Sequence, residues 1–148
     1  MAIPDFDSAG FLPSRVHECS LGEIKGRFGA FQTTDARCRL FEKLETFLTE
    51  VRATGFVVAV IVNGSFATSK HDPTDIDLIL VLAPTYDFSA HLRPFEYNVL
   101  SRKQVRKLYR IDILVGQEAQ HELQEYIDFF TQVRGAPGRT KGMLRVNL

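Results

Sequence analysis

Two aspartates stand at the beginning of an apolar run in the stretch "GSFATSKHDPTDIDLILVL", residues 64–82. Asp75 and Asp77 are two residues apart, and residues at that spacing in a strand point to the same face of the sheet. Adjacent carboxylates resist ionising together unless a cation compensates their charge. Oxygen ligands of this kind suit Mg²⁺ or Mn²⁺. Alternatively, Asp75 caps the turn after Pro73-Thr74, and Asp77 only begins the strand.

A third carboxylate, Asp112, lies inside the apolar segment "YRIDILVG". An aspartate in such a strand is costly to bury without a partner. If this strand neighbours the one that carries Asp75 and Asp77, the three acids meet at one place and can share a metal ion. The alternative is that Asp112 faces solvent while its neighbours form the apolar face of the strand.

The dipeptide Gly64-Ser65 ends a β-branched run and is followed by nine residues before Asp75. A glycine directly after a strand lets the backbone approach a ligand closely. Successive turn amides bind anions, and the serine hydroxyl adds a donor. Lys70, in the same loop, would add a positive charge as a point contact. The alternative interpretation is an ordinary Asn-Gly turn.

Together, the apolar run, Gly64-Ser65, the Asp75-Ile76-Asp77 triplet and the distant Asp112 resemble the nucleotidyltransferase superfamily, which includes DNA polymerase beta. The resemblance covers residues 56–115, and the chain is similar in size to the minimal nucleotidyltransferases. The stretches "IPDFD", "VHE" and "KGMLRVNL" also look like a small uncharacterised bacterial family of that superfamily.

The resemblance implies a nucleotidyltransferase that moves a nucleoside monophosphate from a nucleoside triphosphate to an acceptor hydroxyl on a protein, an RNA or a small molecule. Gly64 and Ser65 would then bind the β- and γ-phosphates. Asp75 and Asp77 would hold two Mg²⁺ or Mn²⁺ ions, and Asp112 would hold the ion next to the acceptor. Because minimal members frequently work in toxin–antitoxin pairs, a toxin or antitoxin partner protein is a further expectation.

One departure from the family pattern supports a second hypothesis. Many minimal members carry an arginine and a glycine shortly after Gly-Ser, whereas residues 67–70 here read Ala-Thr-Ser-Lys. The second hypothesis is a binding module that keeps the fold but acts on a partner protein by contact, as an antitoxin would.

A basic cluster lies just before Asp112 and falls on one side of a helix. Its members are Arg102, Lys103, Arg106, Lys107 and Arg110. The cluster is either a phosphate or RNA contact beside the site or an ordinary solvated helix face.

The elements that position these residues follow from apolar periodicity. The pattern of residues 33–55 predicts an amphipathic helix, and "FVVAVIVNG", "DIDLILVLAP" and "RIDILVG" predict buried strands. Residues 99–109 predict a helix with Leu100, Val105, Leu108 and Tyr109 inward. A last amphipathic helix at "EAQHELQEYIDFFTQV" and a short strand at "GMLRVNL" complete the pattern.

This order of elements predicts one α/β (α+β) domain over residues 1–148, with a central mixed sheet flanked by helices. The link between the first two strands is too short for a helical crossover, so we expect them to be antiparallel. Residues 1–19 read as an extended N-terminal arm, and residues 56–115 as the catalytic core.

Composition narrows the class of protein. The 148 residues carry 18 basic and 18 acidic side chains, so overall charge favours no nucleic-acid partner. Cys19 and Cys38 lack the spacing of a zinc site or a disulfide framework. The sequence shows neither a signal-peptide pattern nor an apolar run of membrane-spanning length, so we expect a cytoplasmic protein without a membrane partner.

Overall fold

A five-stranded mixed sheet forms the centre of the computed structural model, which describes residues 3–148. The strands are β1 (Val16–Glu18), β2 (Val57–Asn63), β3 (Ile76–Leu82), β4 (Ile111–Gln117) and β5 (Met143–Asn147), in the spatial order β1-β5-β2-β3-β4. β2 runs antiparallel to both β3 and β5, whereas the β1–β5 and β3–β4 pairs are parallel. The predicted mixed sheet and the antiparallel first hairpin are therefore confirmed.

Helices cover both faces of this sheet. They are α1 (Leu21–Phe28), α2 (Ala36–Thr54), α3 (Pro94–Leu100), α4 (Arg102–Tyr109) and α5 (His121–Thr131). Residues of α1 to α4 pack with Val60, Val62, Leu78 and Leu80 on one face, and α5 packs with Ile61 and Ile79 on the other. Burial on both faces explains why β2 and β3 read as nearly continuous apolar runs.

Helix α2 is the largest helical contributor to this core. Its apolar residues at helical spacing are buried, including Leu44, Phe47 and Val51. Gly55 ends the helix with a φ of 74°, a conformation in which glycine carries no Cβ penalty. The helix thus lies as the sequence predicts.

The helix predicted over residues 99–109 is in fact two helices. Ser101 has an extended backbone between them, and its hydroxyl accepts a hydrogen bond from the Gln104 amide, which caps α4. In α4, Val105 faces the core and Tyr109 packs its ring 5.2 Å from that of Phe47. The prediction that Leu108 points inward was wrong: it is 57% exposed, because Val105 and Tyr109 take the inward positions of this short helix.

The N-terminal arm packs on its own domain and contains a strand, β1, that periodicity did not predict because three residues carry too little pattern. Leu12 is 1% exposed, and the Phe6 ring lies 5.8 Å from that of Phe28. The Arg27 guanidinium covers Phe6 at 4.5 Å. Within residues 3–148, every helix falls short of the length and hydrophobicity that a membrane crossing requires.

Candidate metal and phosphate site

Three carboxylates meet at the end of the sheet where β2 finishes and β3 and β4 begin. Asp77 lies on β3, directly beside Asp112 on the parallel strand β4, and Asp75 immediately precedes β3. Each offers one carboxylate oxygen, and these oxygens all lie within 4.8 Å of one another. The expected neighbourhood of the two strands is confirmed. The three aspartates, called the acidic triad below, could hold one metal ion.

The electrostatics of the triad favour a cation. Burial, and to a smaller extent the charges of Asp75 and Asp112, together raise the pKa of Asp77 from its ordinary value of 3.8 to about 6. The positive charges of Lys141 and Arg106 oppose this shift without cancelling it. The part of the rise that comes from the neighbouring carboxylates is the part that a bound metal ion would remove.

Arg106 of α4 supplies part of the compensating charge. Its Nη1 atom donates to Asp75 Oδ2 at 3.1 Å and to Asp112 Oδ2 at 3.4 Å. The arginine side chain is 46% exposed, so water competes for these contacts. One member of the basic cluster therefore contacts the acids, while the other members lie exposed on or next to α4.

Gly64 brings the backbone against the triad. Its φ is 77°, and a Cβ atom built there would lie 2.1 Å from Asp77 Oδ2. Only glycine satisfies both the backbone conformation and this close approach. The next residue, Ser65, begins a short 3₁₀ turn, Ser65–Ala67, and lines the same cleft as the acids. Gly64 therefore brings the backbone against Asp77, while its close approach to a ligand stays a prediction.

A cleft of about 1160 Å³ opens over the triad. All six residues singled out from the sequence line it: Gly64, Ser65, Lys70, Asp75, Asp77 and Asp112. The other walls come from the N-terminal arm at residues 9–11 and from residues 129–141, which are the end of α5 and the segment that connects it to β5. The cleft therefore joins four parts of the chain that are distant in sequence: residues 9–11, 64–77, 112 and 129–141.

The wall formed by residues 129–141 was not predicted from the sequence. It contributes Arg134 and Lys141, which are cationic, together with the rings of Phe129 and Phe130. Burial lowers the pKa of Lys141, although the charge of Asp77 acts in the opposite direction. Phe129 is 65% exposed, so an aromatic ring faces the solvent at the cleft. Phe129 and Phe130 lie on the predicted last helix, whereas Arg134 and Lys141 follow no local motif and reach the site because the chain returns to β5.

The Gly-Ser loop, residues 64–70, is also tied to its surroundings by backbone contacts. The Ser69 amide donates to the Gly10 carbonyl at 3.0 Å, and the Thr68 amide donates to the Ser65 carbonyl at 3.2 Å. The Thr68 hydroxyl donates to the same Ser65 carbonyl at 2.7 Å. The arm therefore helps to fix the loop that faces the acidic triad.

Comparison with protein-family models finds one match, the family described as "Family of unknown function (DUF6932)", over residues 4–147. The chain belongs to the DUF6932 family. No curated protein and no solved structure matches the chain. The match includes every element of the cleft, from the arm to β5, so the DUF6932 family pattern spans the whole site.

Proposed function

We propose that this protein is a Mg²⁺-dependent nucleotidyltransferase that moves a nucleoside monophosphate from a nucleoside triphosphate to an acceptor hydroxyl. The observation that carries the proposal is the cleft in which the acidic triad and the Gly64-Ser65 turn lie together. The resemblance of these residues to the nucleotidyltransferase superfamily supports the same reaction. The labelling experiment described below determines which class of acceptor the protein uses.

The donor set of the triad fits Mg²⁺ or Mn²⁺. Three carboxylates are hard oxygen ligands, which suit these ions better than softer metals. Asp75, Asp77 and Asp112 would hold the metal, whose charge would offset the repulsion among the three carboxylates that contributes to the raised pKa of Asp77. When bound, the metal would stabilise the charge that develops on the attacking and leaving oxygens of a phosphoryl transfer.

The remaining groups of the cleft suit a nucleoside triphosphate. The Ser65 hydroxyl and the amides of residues 65 and 66 would be the donors for phosphate oxygens, because the amides of residues 67–70 already donate within the protein. Lys70 adds positive charge. Lys141 and Arg134 extend the cationic surface on the opposite segment of the chain. Phe129 and Phe130 offer apolar rings on which a nucleobase can stack.

The reaction forms one bond and breaks one. The acceptor oxygen bonds to the α-phosphorus, and the bond from that phosphorus to the oxygen that bridges to the β-phosphate breaks. Pyrophosphate leaves with the bonding electron pair, and the acceptor proton passes to solvent or to a carboxylate of the cleft. Asp112 is 45% exposed at its side chain, so it is the carboxylate of the triad best placed to meet an incoming acceptor.

Labelled nucleotides test this reaction directly. The protein is incubated with Mg²⁺ and each triphosphate labelled at either the α- or the γ-phosphate, with the chain itself, cellular RNA and a protein extract as acceptors. We expect the α-label on an acceptor and the γ-label in pyrophosphate, with both lost in Asp75→Asn/Asp77→Asn. A γ-label on the acceptor would replace the proposal with phosphoryl transfer.

A second candidate is a partner-binding module without catalytic activity, in which the protein acts as an antitoxin or a similar contact partner. The Arg106 guanidinium already bridges Asp75 and Asp112, as a fixed cation would in an inactive site. Folded protein that transfers neither label, and whose biological effect survives Asp75→Asn/Asp77→Asn, would support this candidate over the enzyme.

A further inference from the structure

Arg37, in the first turn of α2, is a charged side chain inside the hydrophobic core. It is 1% exposed and belongs to the same buried face of the helix as Phe41 and Leu44. Arginine is almost never fully buried unless its charge and its hydrogen-bond donors are satisfied. Within residues 3–148 it forms no ion pair with a carboxylate, so its partners must be of another kind.

The partners of Arg37 are backbone carbonyls, and they occupy every donor. Nε donates to the Lys70 carbonyl at 3.1 Å. Nη1 donates to the Phe28 carbonyl at 3.2 Å and to the Phe66 carbonyl at 2.8 Å. Nη2 donates to the Thr68 carbonyl at 2.7 Å and to the Lys70 carbonyl. Because a guanidinium has five N–H groups, no donor remains for a phosphate or any other ligand.

These contacts have a geometric consequence for the Gly-Ser loop. The carbonyls of residues 66, 68 and 70 all accept from one side chain, so alternate residues of the loop are gathered around a single planar group. The rings of Phe28 and Phe66 lie 6.0 and 5.3 Å from the guanidinium and limit its movement. The loop shape therefore depends on α2, an element that does not line the cleft.

We propose that Arg37 is the positioning residue of the Gly-Ser loop, which it holds in the shape that presents Ser65 and Lys70 to the cleft. It acts through the loop backbone and touches no ligand. The effect of this shape on triphosphate binding rests on the function proposed above, whereas its effect on loop order does not.

Arg37→Lys is the sharpest variant, because lysine keeps the charge but has only three donors on one atom and cannot span the four carbonyls. Arg37→Gln is measured in parallel, since a neutral amide leaves no buried charge short of acceptors. Arg39→Lys is the matched control: it makes the same change two residues along α2, on an arginine that pairs with Asp35 and is 74% exposed.

Hydrogen–deuterium exchange read by mass spectrometry tests the loop directly. The amides of residues 67–70 are hydrogen-bonded in the folded protein. In Arg37→Lys and Arg37→Gln we expect their exchange to accelerate about tenfold or more, while β2, β3 and the Arg39→Lys control keep wild-type protection. Unchanged loop exchange would overturn the proposal, and so would a uniform loss of protection across the sheet.

Ligand binding separates positioning from general stability. Titration of Mn²⁺ alone reports on the acidic triad, and titration of Mg²⁺ with each triphosphate reports on the loop as well. In Arg37→Lys we expect a Mn²⁺ affinity within about twofold of wild type and at least a tenfold loss of triphosphate affinity. An equal loss of the Mn²⁺ and triphosphate affinities would mean that Arg37 only stabilises the core, and it would overturn the proposal. A wild type that binds no triphosphate would contradict the proposed function, and the exchange experiment would still decide the role of Arg37.

Discussion

Arg37 contacts the Gly-Ser loop and Arg106 contacts the acidic triad, and the two arginines differ in burial and in the kind and number of their acceptors. Arg37 is buried, donates to carbonyls with all five N–H groups and meets no carboxylate among residues 3–148. Arg106 is 46% exposed and donates to two carboxylates from a single nitrogen. The first contact is shielded from water, whereas the second is open to it.

This difference indicates which part of the site is permanent. Removing a buried donor leaves several carbonyls unpaired, which is costly, so we expect the Arg37 contacts to persist while the protein is folded. An exposed ion pair contributes only about 0.2–1 kcal/mol, so the Arg106 contacts can be exchanged for those of another cation. We infer that the Gly-Ser loop, which would bind the phosphate anion, has a fixed shape. We also infer that the cation at the acidic triad can be exchanged for another. The predictions that follow test this contrast.

The largest effect is expected from Gly64→Ala, because Gly64 lies where the Gly-Ser loop packs against the acidic triad. A Cβ atom there would lie 2.1 Å from Asp77 Oδ2, so the carboxylate must move, and Mn²⁺ affinity should fall by at least tenfold. The backbone conformation alone, with φ 77° and ψ −167°, costs a residue with a Cβ about 1–3 kcal/mol of folding stability. Isothermal titration and chemical unfolding measure the two effects.

Gly55→Ala is the matched control for that substitution. Gly55 has a φ of 74°, but a Cβ atom there would meet nothing within 4 Å. Gly55→Ala should therefore lose less free energy of unfolding than Gly64→Ala, about 1–2 kcal/mol, while keeping wild-type Mn²⁺ affinity. Equal Mn²⁺ affinity in the two variants would mean that the contact between Gly64 and Asp77 does not matter for the site.

A smaller effect is expected from pH. The pKa of Asp77 in the metal-free protein is raised from 3.8 to about 6, chiefly by burial, so a proton competes with the metal below that pH. Mn²⁺ affinity should therefore fall about tenfold from pH 7 to pH 5. An affinity that stays flat across this range would show that Asp77 is not a ligand.

The same pKa shift has a definite sign for stability without metal. Between 3.8 and about 6, the folded protein keeps a proton at Asp77 that the unfolded chain releases. This group's contribution to stability is therefore lost as pH rises through that window. Asp77→Asn should remove this part of the pH dependence, and Mn²⁺ should offset it above pH 6 in the wild type.

The smallest effect is expected from Arg106→Gln. If the Arg106 guanidinium is an exchangeable cation, it competes with the metal for the carboxylates of the acidic triad. Its removal should then raise the Mn²⁺ affinity about two- to fivefold. Lys107→Gln removes the same charge from an exposed position on α4 and should leave the affinity nearly unchanged. A fall in affinity in Arg106→Gln would mean that Arg106 orients the acids for the metal.

The sequence predicts best the part of the site whose residues lie close together along the chain. Asp75 and Asp77 share a face because of the two-residue period of a strand, and a short link after Gly64 requires the hairpin. Asp112 could be placed only conditionally, because strand neighbourhood is a tertiary property. The pairing of β3 with β4 supplies that missing step.

Other parts of the site have only a weak sequence pattern, or none, from which their position could be predicted. Arg37 has a weak pattern of this kind, because it lies on the apolar face of a helix, four residues before Phe41. An arginine at such a position predicts a buried charge whose donors must all find acceptors. Arg134 and Lys141 have none, because they lie in an irregular segment whose position depends on the return of the chain to β5. The break at Ser101 was missed because the apolar pattern continues across it, while the capping contact of its hydroxyl depends on backbone geometry.

Isothermal titration of ATP, GTP, CTP and UTP in the presence of Mg²⁺ tests the central claim most directly. It is performed on the wild type and on Asp75→Asn/Asp77→Asn, with a metal-free titration of each. The account predicts that at least one triphosphate binds the wild type only when Mg²⁺ is present, and that the double variant, although folded, binds none. Folded wild-type protein that binds no triphosphate with Mg²⁺ would contradict the account.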